Sequence, residues 1–124
     1  MTYHVDRFYA AVSVLAGDGH IKQRLMKAYQ DNLDEIGEDE LPRDLKKRFS
    51  KLKTRMHRVA PLNGEGPICA SVRKMSVDEA SKCAVSVVSL YGEIIRQAED
   101  LQDPLPLNED QSTVPPFLVT SASN

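Results

Sequence analysis

Cysteine is scarce. Cys69 and Cys83 are the only two in 124 residues, too few for a disulfide scaffold and too far apart for a CxxC redox or zinc motif. Both read as reduced, packed side chains, the usual state of free cysteine. No apolar run approaches the roughly 18–20 residues that a membrane span needs, and no membrane partner is expected. Residues 1–7 (MTYHVDR) lack the basic-then-apolar order of a secretory signal, so the expected location is cytoplasmic. His4, His20 and His57 stand on three separate segments. No pair has the i, i+4 spacing that presents two imidazoles to one metal, and no cofactor is expected. There is no G-x-S-x-G, and neither cysteine has a nucleophile's partner close in sequence, which points away from an enzyme. The glycines around Asp18 and in residues 63–66 do not follow a strand, and turns account for both.

What remains is an ordinary globular composition, 41% apolar and 27% charged, at a length that usually makes one domain. The net charge of −2 argues against a surface built as a whole for nucleic acid or anionic lipid, although it leaves room for a local patch.

Helical periodicity recurs four times. Val5, Phe8, Tyr9, Val12, Leu15 and Ala16 share one face of a helix over 3–16. Ile21, Leu25, Ala28, Tyr29, Leu33 and Ile36 do the same over 19–36, and the short joint between them favours an antiparallel hairpin. Leu41, Leu45, Phe49, Leu52, Met56 and Val59 mark a third helix over 42–59, within an arc of about 80° at 100° per residue. Residues 60–67 have loop composition. Ile68 to Arg73 alternates apolar with small or polar residues, which predicts a short extended segment. A lone strand leaves its backbone groups unmet, so such a segment would need a partner, and a homodimer would provide one. Ser76 and Glu79 then form a capping-box pattern that opens a fourth helix over 76–99, whose wide apolar face suits the centre of the core. The fold class expected is all-α, a four-helix bundle-like domain over 1–100 with an extended insertion between helices 3 and 4. Residues 101–124, rich in proline and acids, are expected to be an extended or flexible tail.

Charge is the least ordinary feature. Residues 31–40 hold six acids and no base, and residues 43–58 hold eight bases against Asp44 alone. On a helical wheel Lys47, Lys51, Arg55 and Arg58 line one flank with Arg48 beside them, a stripe of about 16 Å at 1.5 Å per residue. Such a run is often only a solvated face, here partly neutralised by the acids before it. Read as a surface with a purpose, it suits a non-enzymatic interaction module, an adaptor, inhibitor or regulator whose partner is a protein with an acidic surface. The alternative is a nucleic-acid-binding regulator that uses the same flank on phosphates. The aromatic residues weigh against that alternative, because Phe8, Tyr9, Tyr29, Phe49 and Tyr91 all fall on apolar faces and leave no stacking platform.

Overall fold

A computed structural model describes residues 3–62 and 64–102 of the chain. These are all-helical: α1 (Tyr3–Leu15), α2 (Ile21–Asn32), a one-turn 3-10 helix (Glu38–Glu40), α3 (Arg43–Met56), α4 (Pro67–Lys74) and α5 (Val77–Gln102). Of these, residues 3–62 and 64–94 belong to one compact unit. The tail expected beyond residue 100 lies, from residue 103 onward, outside the described residues. Among the described residues no helix is long and apolar enough to cross a membrane.

The turn between α1 and α2 depends on Gly19, whose φ of 104° is a backbone conformation that a Cβ disfavours. His20 then caps α2, its Nδ1 accepting from the Lys22 N–H at 3.1 Å. The two helices run antiparallel, and an arginine fastens each end of the pair. Arg7, near the start of α1, donates to the Asn32 carbonyl at 3.1 Å and also to the Asp31 carbonyl, both at the end of α2. Arg24, near the start of α2, donates to the Leu15 carbonyl at the end of α1 and to the Gly19 carbonyl. Each guanidinium thus meets carbonyls that a helix end leaves without partners, where its charge also suits the dipole.

The core follows the apolar spacing. Phe8, Ala11 and Leu15 of α1, Leu25, Ala28 and Tyr29 of α2, Leu45, Phe49, Leu52 and Met56 of α3, and Ala80, Cys83, Val87, Leu90 and Ile94 of α5 are all buried. Phe8 and Phe49 meet edge to face, with centroids 5.8 Å apart, and join α1 to α3.

The expected extended segment is corrected to a helix. Residues 67–74 form α4, with Pro67 in its first turn, where a missing N–H costs nothing. Ile68, Ser71, Val72 and Met75 lie at helical spacing and are buried, so the same residues that alternate also make a short amphipathic helix. The buried Ser71 hydroxyl accepts from the Val59 N–H at 3.0 Å. Lys22 of α2 reaches the Arg73 carbonyl at 3.0 Å, and Glu65 grips the Arg73 guanidinium through two hydrogen bonds, the shorter at 2.6 Å. The unpaired strand edge that would have called for a second copy of the chain is therefore not formed.

Ser76 caps α5, its hydroxyl accepting from the Glu79 N–H at 3.0 Å. Ser76→Ala is expected to cost about 1 kcal/mol, a fall of about 4 °C in melting temperature for a domain of this size, readable by thermal circular dichroism. The face of α5 is less fully covered than its pattern suggested. Val85 is 67% exposed and Val88 48%, and with Val12, Leu15, Ile21 and Ala84 they line a shallow apolar groove.

Candidate functional site

The basic flank is built by α3, whose apolar stripe fixes its orientation. With Leu45, Phe49, Leu52 and Met56 turned inward, positions 47, 50, 51 and 54 fall on the opposite side at 100° per residue. Lys47, Lys51 and Thr54 are exposed and Ser50 half-buried. Together with Glu38, Lys46 and Arg55 they line an open groove along the helix.

The five cations singled out by the sequence do not share one fate. Lys47 and Lys51 have no hydrogen bond or ion pair with another described residue. Arg48 turns toward α5, where its Nη2 donates to the Ser89 hydroxyl at 2.6 Å. Arg55 lies 3.7 Å from the Glu79 carboxylate. Arg58 reaches the same carboxylate at 3.0 Å. Arg58 also lies beyond the helix, because α3 ends at Met56 and His57 leaves helical geometry at φ −121°, ψ 15°. The helical stripe is therefore Lys47, Lys51 and Arg55, about 12 Å long at 1.5 Å per residue. Glu79 does not complete the capping box its spacing suggested, since its side chain is committed to the two arginines.

The acidic segment partly answers the basic one. Asp39 pairs with Lys46 at 3.2 Å, and Lys53 donates to the Ile36 carbonyl at 3.0 Å while lying 5.6 Å above the Phe49 ring. Asp34 takes His57 Nε2 at 3.1 Å. His57 Nδ1 lies 2.9 Å from the Lys53 carbonyl, so both ring nitrogens face acceptors. With its nitrogens so occupied, His57 fastens the end of α3 to the chain after α2 and has no free nitrogen to serve a substrate.

A second cleft opens between α3 and α5. Lys51, Leu52 and Arg55 line it from one side and Lys82, Cys83 and Ser86 from the other. Burial pushes the Cys83 thiol up, against the opposing pull of Arg55, whose guanidinium lies 4.0 Å from Sγ. The thiol is thus held neutral and is a poor nucleophile. Both cysteines are free thiols. Among the described residues no three His, Cys, Asp or Glu side chains gather where they could share a metal ion.

The aromatic residues are largely inward, as their spacing implied, with one correction. Phe8, Tyr29 and Phe49 are buried, but Tyr9 is 60% exposed and meets the half-buried Tyr91 at 6.1 Å. It is not among the residues lining the α3 groove. Sequence reasoning missed Lys82, Ser86 and Glu79 as neighbours of the flank. They recur on the polar side of α5 at spacings of three and four, but nothing local says that this side faces α3. No protein-family model matches the chain, and no curated protein or solved structure matches it either.

Proposed function

We propose that the chain is a non-enzymatic interaction module that docks an acidic surface of a partner protein against the exposed flank of α3. The observation that carries this reading is the pair Lys47 and Lys51. They stand one turn apart on an open groove with no partner among the described residues, while neighbouring cations are held by Asp39, Glu79 and Ser89. Ser50 and Thr54 add hydroxyls that can donate to carboxylates in the same groove. A protein partner suits this patch better than a nucleic-acid backbone does. Only two unpaired ammonium groups are on offer, Glu38 lies in the same groove, and no aromatic ring lines it for a base to stack on.

Charge reversal tests the reading. Lys47→Glu with Lys51→Glu leaves the buried face of α3 untouched and should leave the circular dichroism spectrum unchanged. Like charges facing each other across an interface cost several kcal/mol, so binding should weaken by at least about a hundredfold. The measurement is affinity purification of the full chain from its native cell, with wild type and double variant side by side. A stoichiometric acidic protein recovered by the wild type and lost by the variant supports the proposal. Equal recovery, or no stoichiometric protein with the wild type, removes it. Retention of DNA or RNA at low salt, with a steep salt dependence, would move the flank to the nucleic-acid reading.

A further inference from the structure

The cleft between α3 and α5 differs in kind from the open groove beside it. The groove displays side chains of a single helix backed by Glu38, whereas the cleft draws cations from two helices onto one small volume of about 270 Å³. Lys51 and Arg55 of α3 line it together with Lys82 and the half-buried Ser86 of α5, and the Cys83 thiol, held neutral, adds no negative charge. We infer that this cleft is a seat for a phosphomonoester group, and that the acidic partner docked on α3 carries a phosphorylated side chain that enters it. The inference rests on the proposed docking of an acidic protein and names the chemistry that would make that docking selective.

The match is one of charge and of donor number. A phosphomonoester carries close to two negative charges at neutral pH and three acceptor oxygens, where a carboxylate carries one charge and two oxygens. The cleft offers the ammonium groups of Lys51 and Lys82, the guanidinium of Arg55 and a hydroxyl. That is more than a carboxylate can use and enough for a phosphate. The local counter-charges do not cancel it. Glu79 lies closer to Arg58, at 3.0 Å, than to Arg55, at 3.7 Å. It steadies the Arg55 guanidinium from one side and leaves its other N–H groups available. Lys82 pairs with Asp78 at 3.3 Å, but both are well exposed and one helical turn apart, a weak contact that a dianion can displace.

The test uses the full chain and two short fluorescent peptides, one of glutamates around a single serine and the other identical but phosphorylated on that serine. Fluorescence anisotropy should show the phosphorylated peptide binding at least about tenfold tighter, a difference of about 1.4 kcal/mol. Inorganic phosphate in the millimolar range should erode that advantage. Lys82→Ala and Ser86→Ala lie off the α3 groove, so each should shrink the preference toward equality while leaving affinity for the unphosphorylated peptide unchanged. Equal binding of the two peptides by wild type overturns the inference and leaves the acidic-partner reading standing. A preference that survives both variants also overturns it, because the phosphate would then sit elsewhere. Failure of both peptides to bind removes the two readings together. A single-stranded RNA that binds more tightly than either peptide and is lost in Lys82→Ala would reassign the cleft to a nucleic-acid backbone.

Discussion

Phe49→Ala is expected to remove about 3–5 kcal/mol of folding free energy, a large part of the roughly 5–15 kcal/mol that holds a domain of this kind together. Phe49 is fully buried at the middle of α3, packed edge to face against Phe8 of α1 and capped by the Lys53 ammonium. Truncation opens a cavity where two helices meet and strips Phe8 of its aromatic partner. Neighbouring leucines are already committed to their own contacts and can close only part of the gap. In urea, the midpoint should fall with little change in slope. A loss under about 1.5 kcal/mol would mean that α1 and α3 can slide together over the void, and that this contact does not fix the angle of α3. The same helix that buries Phe49 presents Lys47 and Lys51 on its other side, so the truncation also loosens their placement.

That coupling of inner and outer faces is what the sequence makes legible. Leu45, Phe49, Leu52 and Met56 are buried where their spacing put them, because a helix of fixed period leaves little freedom once one stripe must leave water. The serine half of the α5 cap was visible too, since Ser76 does hold the Glu79 N–H. Residues 68–73 were misread because six residues of alternation do not separate a strand from a single amphipathic turn and a half. Gly66 and Pro67 were the overlooked start signal, and the Glu65–Arg73 contact closes the loop around the helix they begin. Exposure of Val88 was equally hidden, because apolar spacing shows which residues share a face and not whether a neighbour arrives to cover it.

The candidate site was half legible for a related reason. Lys47 and Lys51 could be placed outward by the wheel alone, since their position depends only on α3. The fates of Arg48, Arg55 and Arg58 depended on residues of α5 far away in the chain, Ser89 and Glu79. No local pattern announces that pairing. All five cations are exposed, but they differ in their partners. Three of the five are engaged across the α3–α5 junction, and that junction is also what brings Lys82 and Ser86 beside Lys51.

Tyr29→Phe is expected to act in the opposite sense from Phe49→Ala and to stabilise the protein. Tyr29 is fully buried, and its hydroxyl meets no acceptor at full hydrogen-bond geometry, although the Asp34 carboxylate lies near enough to act on it. Burial, and after it the negative charge of Asp34 and the approach of its carboxylate to the hydroxyl, pushes the phenol far above its ordinary value, so the group remains a neutral O–H across the accessible pH range. A buried donor without a partner costs about 1–3 kcal/mol, and phenylalanine removes that cost while keeping the ring that meets His57 edge-on at 6.1 Å. The gain should approach the same size and raise the melting temperature by several degrees. The Asp34–His57 contact at 3.1 Å does not involve the hydroxyl and should persist. A loss of 1 kcal/mol or more would show instead that the hydroxyl is satisfied in solution, and Asp34 is the acceptor its environment names. Combining Tyr29→Phe with Asp34→Asn separates the cases. Additive effects mean that the two groups act apart, whereas a coupling above about 0.5 kcal/mol means that the phenol donates to the carboxylate. Asp34 would then tie α2 to the end of α3 through both Tyr29 and His57.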